Sequence, residues 1–143
     1  MSVAEFVGAA LAELGVGHAF GVVGSGNFHV TNALRTAGVP FVAARHESGA
    51  ATMADAWART TGRPAVLTVH QGCGLTNAMT GITEAAKSRT PLVVLAAEAT
   101  SPRSNFAVDQ TALATAVGAV PMRVTSAATA VANAQSVADE RMR

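Results

Sequence analysis

Two runs of apolar residues constrain the fold more than any other feature of the chain. They are Ala65-Val66-Leu67-Thr68-Val69-His70 and Pro91-Leu92-Val93-Val94-Leu95-Ala96-Ala97. Neither alternates between apolar and polar positions, as a strand with one wet face would. Unbroken runs of this length are what strands covered on both faces look like. Shorter apolar runs at 18–23 and 40–44 read as two further strands. The stretches between them carry a helical period. Val3, Phe6, Val7, Ala10, Leu11 and Leu14 share one face, with Ser2 and Glu5 spaced as a capping box ahead of them. Helices are expected at 28–37, closed by Gly38, at 47–61, closed by Gly62, and at 75–88. Strands alternating with helices predict an α/β fold of three layers, a mostly parallel sheet with helices on both faces and right-handed connections. Beyond the fourth strand, the pattern predicts a helix at 109–117, a short strand at 120–124 interrupted by Pro121, and a helix from 127 to 143.

Composition narrows the function classes. The chain has 143 residues, enough for one domain with an ordinary core. Half are hydrophobic and 13% are charged, an apolar balance that predicts surfaces covered by another domain or subunit. A net charge of +1 with no Lys/Arg cluster argues against nucleic acid as a partner. No apolar run approaches the ~20 residues of a membrane span, and the start Met1-Ser2-Val3-Ala4-Glu5 is not that of a signal peptide. A cytoplasmic location is expected. The single cysteine, Cys73, forms no intrachain disulfide or metal-ligand pair and reads as a small buried filler. His18, His29 and His46 lack metal-ligand spacing, so no metal site is expected within the chain.

In open parallel sheets, ligands bind at the carboxyl ends of the strands. Three polar segments fall there together: Gly24-Ser25-Gly26-Asn27, His46-Glu47 and His70-Gln71-Gly72-Cys73-Gly74. Taken singly, each has a plain reading. Glu47 suits the first turn of any helix, His70 suits the end of any buried strand, and Ser25 suits any turn. Gly72-x-Gly74-x-x-Asn77 lacks the third glycine of a dinucleotide fingerprint, and no acid follows at the end of a second strand.

The order of these segments carries a resemblance. Arg45-His46-Glu47-Ser48-Gly49-Ala50-Ala51, with Phe20-Gly21-Val22-Val23-Gly24-Ser25-Gly26-Asn27 before it and Gly72-Cys73-Gly74-Leu75-Thr76-Asn77-Ala78-Met79 after it, resembles the pyrimidine-binding domain of thiamine diphosphate enzymes. The similarity is to the acetolactate synthase, benzoylformate decarboxylase and pyruvate oxidase group and runs over residues 3–124. It implies decarboxylation of a small 2-oxo acid, followed by protonation or by carboligation to a second carbonyl. It implies that Glu47 is catalytic and binds cofactor, through a hydrogen bond to the pyrimidine ring that favours its imino form. His70 matches a histidine that moves protons in benzoylformate decarboxylase-like enzymes. Ser25 matches a residue that touches the substrate carboxylate there, and Gln110 matches a glutamine near the active site. Gly24, Gly72, Gly74 and Asn77 match the turns that shape the pyrimidine pocket, Asn77 by pinning a helix start.

The match has departures. Val23 and Cys73 stand where family loops carry proline, and Glu98 stands where many carry Gly-Gln, so flavin (FAD) is not indicated. The Gly-Asp-Gly…Asn motif that holds Mg²⁺ and the diphosphate is not in this sequence, nor is the family's last strand. The ligands for Mg²⁺ are therefore expected outside this chain, on the diphosphate-binding domain of another subunit in a homodimer or tetramer. Residues 1–143 are expected to be one domain, a fragment of a longer chain. The alternative is a non-catalytic α/β assembly or regulatory subunit that pairs with a separate diphosphate-binding subunit.

Overall fold

The computed structural model describes residues 1–130 together with 132, 133 and 136. The elements are α1 (Val3–Glu13), β1 (His18–Gly21), α2 (Phe28–Thr36), β2 (Phe41–Ala43), α3 (Glu47–Thr61), β3 (Ala65–Val69), α4 (Cys73–Lys87), β4 (Leu92–Ala96) and α5 (Gln110–Ala116). The four strands form one parallel sheet in the order β2-β1-β3-β4. All five residues of β3 are buried, as its unbroken apolar run requires.

Side chains alternate between two cores. Leu67 and Val69 point with Phe20 into the α3–α4 layer, while Val66 points with Ala19 toward Leu11 and Leu34 of α1 and α2. The chain moves one way along the sheet through α2, then the other way through α3 and α4. The helices change face at the same point, so the crossovers share one hand. The reversal lies between β1 and β3, which makes the crevice above their carboxyl ends the natural ligand site.

Helices pack closely because small residues meet. A Cβ on Gly81 of α4 would fall 2.5 Å from Ala51 Cβ of α3, and one on Gly8 of α1 would fall 2.7 Å from the Ala33 carbonyl carbon of α2. Each helix can therefore bring its backbone nearly against its neighbour.

Several boundaries differ from the sequence reading. β1 stops at Gly21 instead of 23, because the Val22 carbonyl accepts from the Asn27 side chain at 3.1 Å. The expected strand at 120–124 does not form. Pro121 has no N–H to give a ladder, and Arg123 swings to pair with Glu98. α4 starts at Cys73, not Leu75, since Gly72 at φ 63° turns the chain directly into the helix. That turn leaves Cys73 exposed, so the reading of it as a buried filler is wrong. The expected last helix begins at 127, where Ser126 Oγ accepts from Thr129 N at 3.2 Å. Its positions 131, 134, 135 and 137–143 lie outside the described residues. Among the described residues, no helix is long and apolar enough to cross a membrane.

Candidate active site

The loops after β1, β2 and β3 meet at the crevice between β1 and β3. The loop after β1 is built on Asn27, which is 1% exposed. Its Oδ1 accepts from Gly24 N at 2.8 Å. Its Nδ2 donates to Val22 O and to Thr68 Oγ1, each at 3.1 Å. Thr31 Oγ1 donates to Asn27 O and lies 3.3 Å from Thr68 Oγ1. Buried polar groups are tolerable when satisfied in this way. The network presents Gly24, Ser25 and Gly26 at the rim.

His70 follows β3 and lies against that rim. Its Nδ1 is 3.1 Å from Gln71 O, and a carbonyl only accepts, so Nδ1 carries the hydrogen. In the neutral ring, Nε2 is then an acceptor, and Ser25 Oγ lies 3.2 Å from it. Phe106 packs edge-on against the imidazole, with ring centroids 4.9 Å apart. A Cβ on Gly24 would meet His70 Cδ2 at 2.7 Å, so glycine is what lets the loop approach the ring.

α3 begins where β2 ends. His46 caps it: Nδ1 accepts from Ser48 N at 3.2 Å and sits 2.8 Å from Ser48 Oγ. Glu47 is the first helical residue, half-buried, its carboxylate at the positive end of the helix dipole. Asn77 Nδ2 donates to Glu47 Oε2 at 3.1 Å. Gly74 stands beside the other oxygen: a Cβ there would lie 3.4 Å from Glu47 Oε1 and 3.0 Å from His70 Cβ. Glu47, Gly74 and the base of His70 thus converge at the head of α3 and α4.

The start of α4 is braced from behind. Gly72 N donates to Gln110 Oε1 at 3.0 Å, and Gln110 Nε2 donates to Ala97 O at 2.9 Å. A Cβ on Gly72 would meet the Phe106 carbonyl oxygen at 2.5 Å.

The residues singled out from sequence (Glu47, His70, Ser25, Gly24, Gly72, Gly74, Asn77 and Gln110) lie in one continuous set of contacts at this end of the sheet. Two are engaged differently from expectation. Asn77 does not pin the start of α4; its amide reaches across to Glu47. Both ends of the Gln110 amide are taken by backbone, so it ties Gly72 to the end of β4. Sequence reasoning missed Thr31, Phe106 and the part played by Thr68, although a lone threonine in an apolar strand was a signal that something polar opposes it. It placed Asn27 and Gln71 in the segments at the strand ends without giving either a role; Gln71 Oε1 is buried and has no partner among the described residues. The same residues hold no group of three or more His, Cys, Asp or Glu side chains able to bind a metal ion.

Comparison with known proteins agrees with this geometry. Residues 1–114 match the family model described as thiamine pyrophosphate enzyme, N-terminal TPP binding domain. The acetolactate synthase large subunit of Buchnera aphidicola (subsp. Acyrthosiphon pisum) is 38% identical over 102 residues, which cover 71% of this chain and 18% of the relative. The acetolactate synthase isozyme 3 large subunit of Escherichia coli is 42% identical over 99 residues, 68% of this chain and 17% of the relative. A probable 2-ketoarginine decarboxylase of Pseudomonas aeruginosa is 40% identical over 85 residues, 59% of this chain and 15% of the relative. The matched segments span less than a fifth of these curated relatives. A parallel sheet with its polar loops gathered at one switch point, an acid at the head of α3 and a family match over most of the length have one reading: the chain belongs to the N-terminal TPP-binding domains of the thiamine pyrophosphate enzymes.

Proposed function

We propose that this domain binds the pyrimidine half of thiamine diphosphate in an enzyme that decarboxylates or carboligates small 2-oxo acids, in the manner of acetolactate synthase. The observation that supports it most is the convergence of the Glu47 carboxylate, Asn77 Nδ2, Gly74 and the base of His70 at the head of α3 and α4. The fit is good on this side. A side chain at 74 would crowd Glu47 Oε1 and His70 Cβ, and glycine avoids that. When bound, the cofactor supplies an acidic thiazolium carbon, C2, and an electron sink for decarboxylation.

The protein's own groups do the rest. Glu47 offers a carboxyl oxygen to a pyrimidine nitrogen and exchanges a proton with it. Ser25 and His70 form a hydroxyl–imidazole pair suited to orient the 2-oxo acid and carry a proton to or from it. Gly24 and Gly74 let their segments pack against His70, Gly72 lets its turn pack against Phe106, and Gln110 holds that turn from behind. Mg²⁺ and the diphosphate are held by the diphosphate-binding domain of another subunit in a homodimer or tetramer, as the family resemblance implies. The cytoplasm is the proposed location, and this chain acts as one domain of a longer protein.

The test uses the full natural chain. Glu47→Gln is expected to slow C2 proton exchange of bound cofactor by roughly 10²–10⁴-fold, the usual range for losing a general acid–base group, while calorimetry still detects cofactor binding with Mg²⁺. Wild-type exchange in Glu47→Gln overturns the reading.

A further inference from the structure

Asparagine is a poor residue for a helix interior unless its amide has work elsewhere. Asn77 lies one turn into α4, on the face that also carries Gly74 and Gly81 and is turned toward α3. Its side chain is exposed and caps nothing. It reaches Glu47 because the glycine–alanine contact at Gly81 and Ala51 brings the two helices close enough for so short a side chain.

From this geometry we infer that Asn77 is a positioning residue that assigns the transferable proton of Glu47 to Oε1. An amide NH₂ can only donate. Glu47 Oε2, 3.1 Å from Asn77 Nδ2, is therefore an acceptor whether the carboxyl is ionised or protonated. A carbonyl oxygen accepts better than a hydroxyl oxygen, so the bond at Oε2 favours placing the proton on the other oxygen. That oxygen is Oε1, which lies on the Gly74 side. The hydrogen bond also fixes the plane of the carboxyl, so Oε1 does not exchange places with Oε2. A purely structural role fits poorly: the pair is exposed, and the α3–α4 contact is made by Ala51 and Gly81 without it.

The inference rests on the proposed role of Glu47, and the test separates the two. In the full natural chain, C2 proton exchange of bound thiamine diphosphate, cofactor Kd and thermal midpoint are compared for wild type, Glu47→Gln, Asn77→Asp, Asn77→Ala and Asn77→Gln. Loss of a hydrogen bond to a charged group predicts exchange slower by roughly 10- to 100-fold in Asn77→Asp and Asn77→Ala. In Asn77→Ala, Kd and thermal midpoint stay near wild type, and the longer amide of Asn77→Gln restores much of the rate. If Glu47→Gln loses exchange while both donor-lacking variants match wild type, the inference is overturned and the role of Glu47 stands. If Glu47→Gln keeps exchange, both fall. A crystal structure of unliganded Asn77→Ala gives an answer free of the cofactor: a carboxyl plane at Glu47 unchanged from wild type overturns the inference, and a rotated or disordered one supports it.

Discussion

Two sets of polar contacts meet at the crevice, and they differ in kind. Beneath the first loop, Asn27, Thr31 and Thr68 are buried, and each polar group of the Asn27 side chain has a partner. At the rim, the Ser25–His70 and Asn77–Glu47 pairs are exposed and incompletely used, with Glu47 Oε1 on the Gly74 side. The buried set does one thing: it fixes where the loop stands. The rim set can trade its partners for a ligand at small cost, because water already competes there. Stability and chemistry are therefore carried by different residues a few ångströms apart, and substitutions should separate them.

The largest effect is expected from Asn27→Ala. It leaves Gly24 N, Val22 O and Thr68 Oγ1 short of a partner, and each buried unsatisfied group costs ~1–3 kcal/mol. Urea unfolding should show a loss of at least ~2 kcal/mol, with Ser25 no longer held against His70. Thr68→Val keeps the shape and removes one hydroxyl, so ~1–2 kcal/mol is expected in the same measurement. Ser25→Ala should change stability by less than ~0.5 kcal/mol, as exposed substitutions usually do, while lowering turnover. A Ser25→Ala variant as unstable as Asn27→Ala would erase the distinction.

The smallest effect is a pH effect at the far end of the fold. Hydrogen bonds from the Ser2 backbone and side chain hold the Glu5 carboxyl below its ordinary value of 4.5. A carboxyl depressed in the folded state adds stability above its unfolded value and loses it as pH falls through the folded one. Helix α1 should therefore loosen slightly on acidification below about 4.5, and Glu5→Gln should remove that dependence in a circular-dichroism titration.

The central strand β3 was legible in the sequence because burial on both faces leaves an unmistakable pattern, as in Ala65-Val66-Leu67; β4 carries the same apolar run yet is only half-buried at the sheet edge, and β2 is largely exposed. Helix α3 was legible end to end, from Glu47 to Gly62, because both termini carry their own signals. The crevice was legible too, since strand ends in a parallel sheet fall on one side. What could not be read was which side chain holds which. Asn77 reaches Glu47 only because Gly81 lies on Ala51, a contact between helices that no local pattern records. The end of β1 was misplaced for a similar reason: the competitor for the Val22 carbonyl is a side chain five residues on. The strand at 120–124 failed through Pro121, whose apolar neighbours gave a β-like composition without a ladder to join.

The strand order has a consequence for how the chain is made. β1 is synthesised first, yet its central ladder pairs His18 with Ala65 and Gly21 with Thr68. β2, which emerges between them, ends as an edge. On the ribosome, the loop bearing Ser25 and the turn bearing Glu47 appear before the strand that will seat them. Until β3 has cleared the exit tunnel, Asn27 has no Thr68 to bind, and the first two strands have only the α1–α2 face to pack against. Slow codons placed after β3 would give the nascent chain time to close its middle; placed before it, they would only prolong the exposure of β1 and β2.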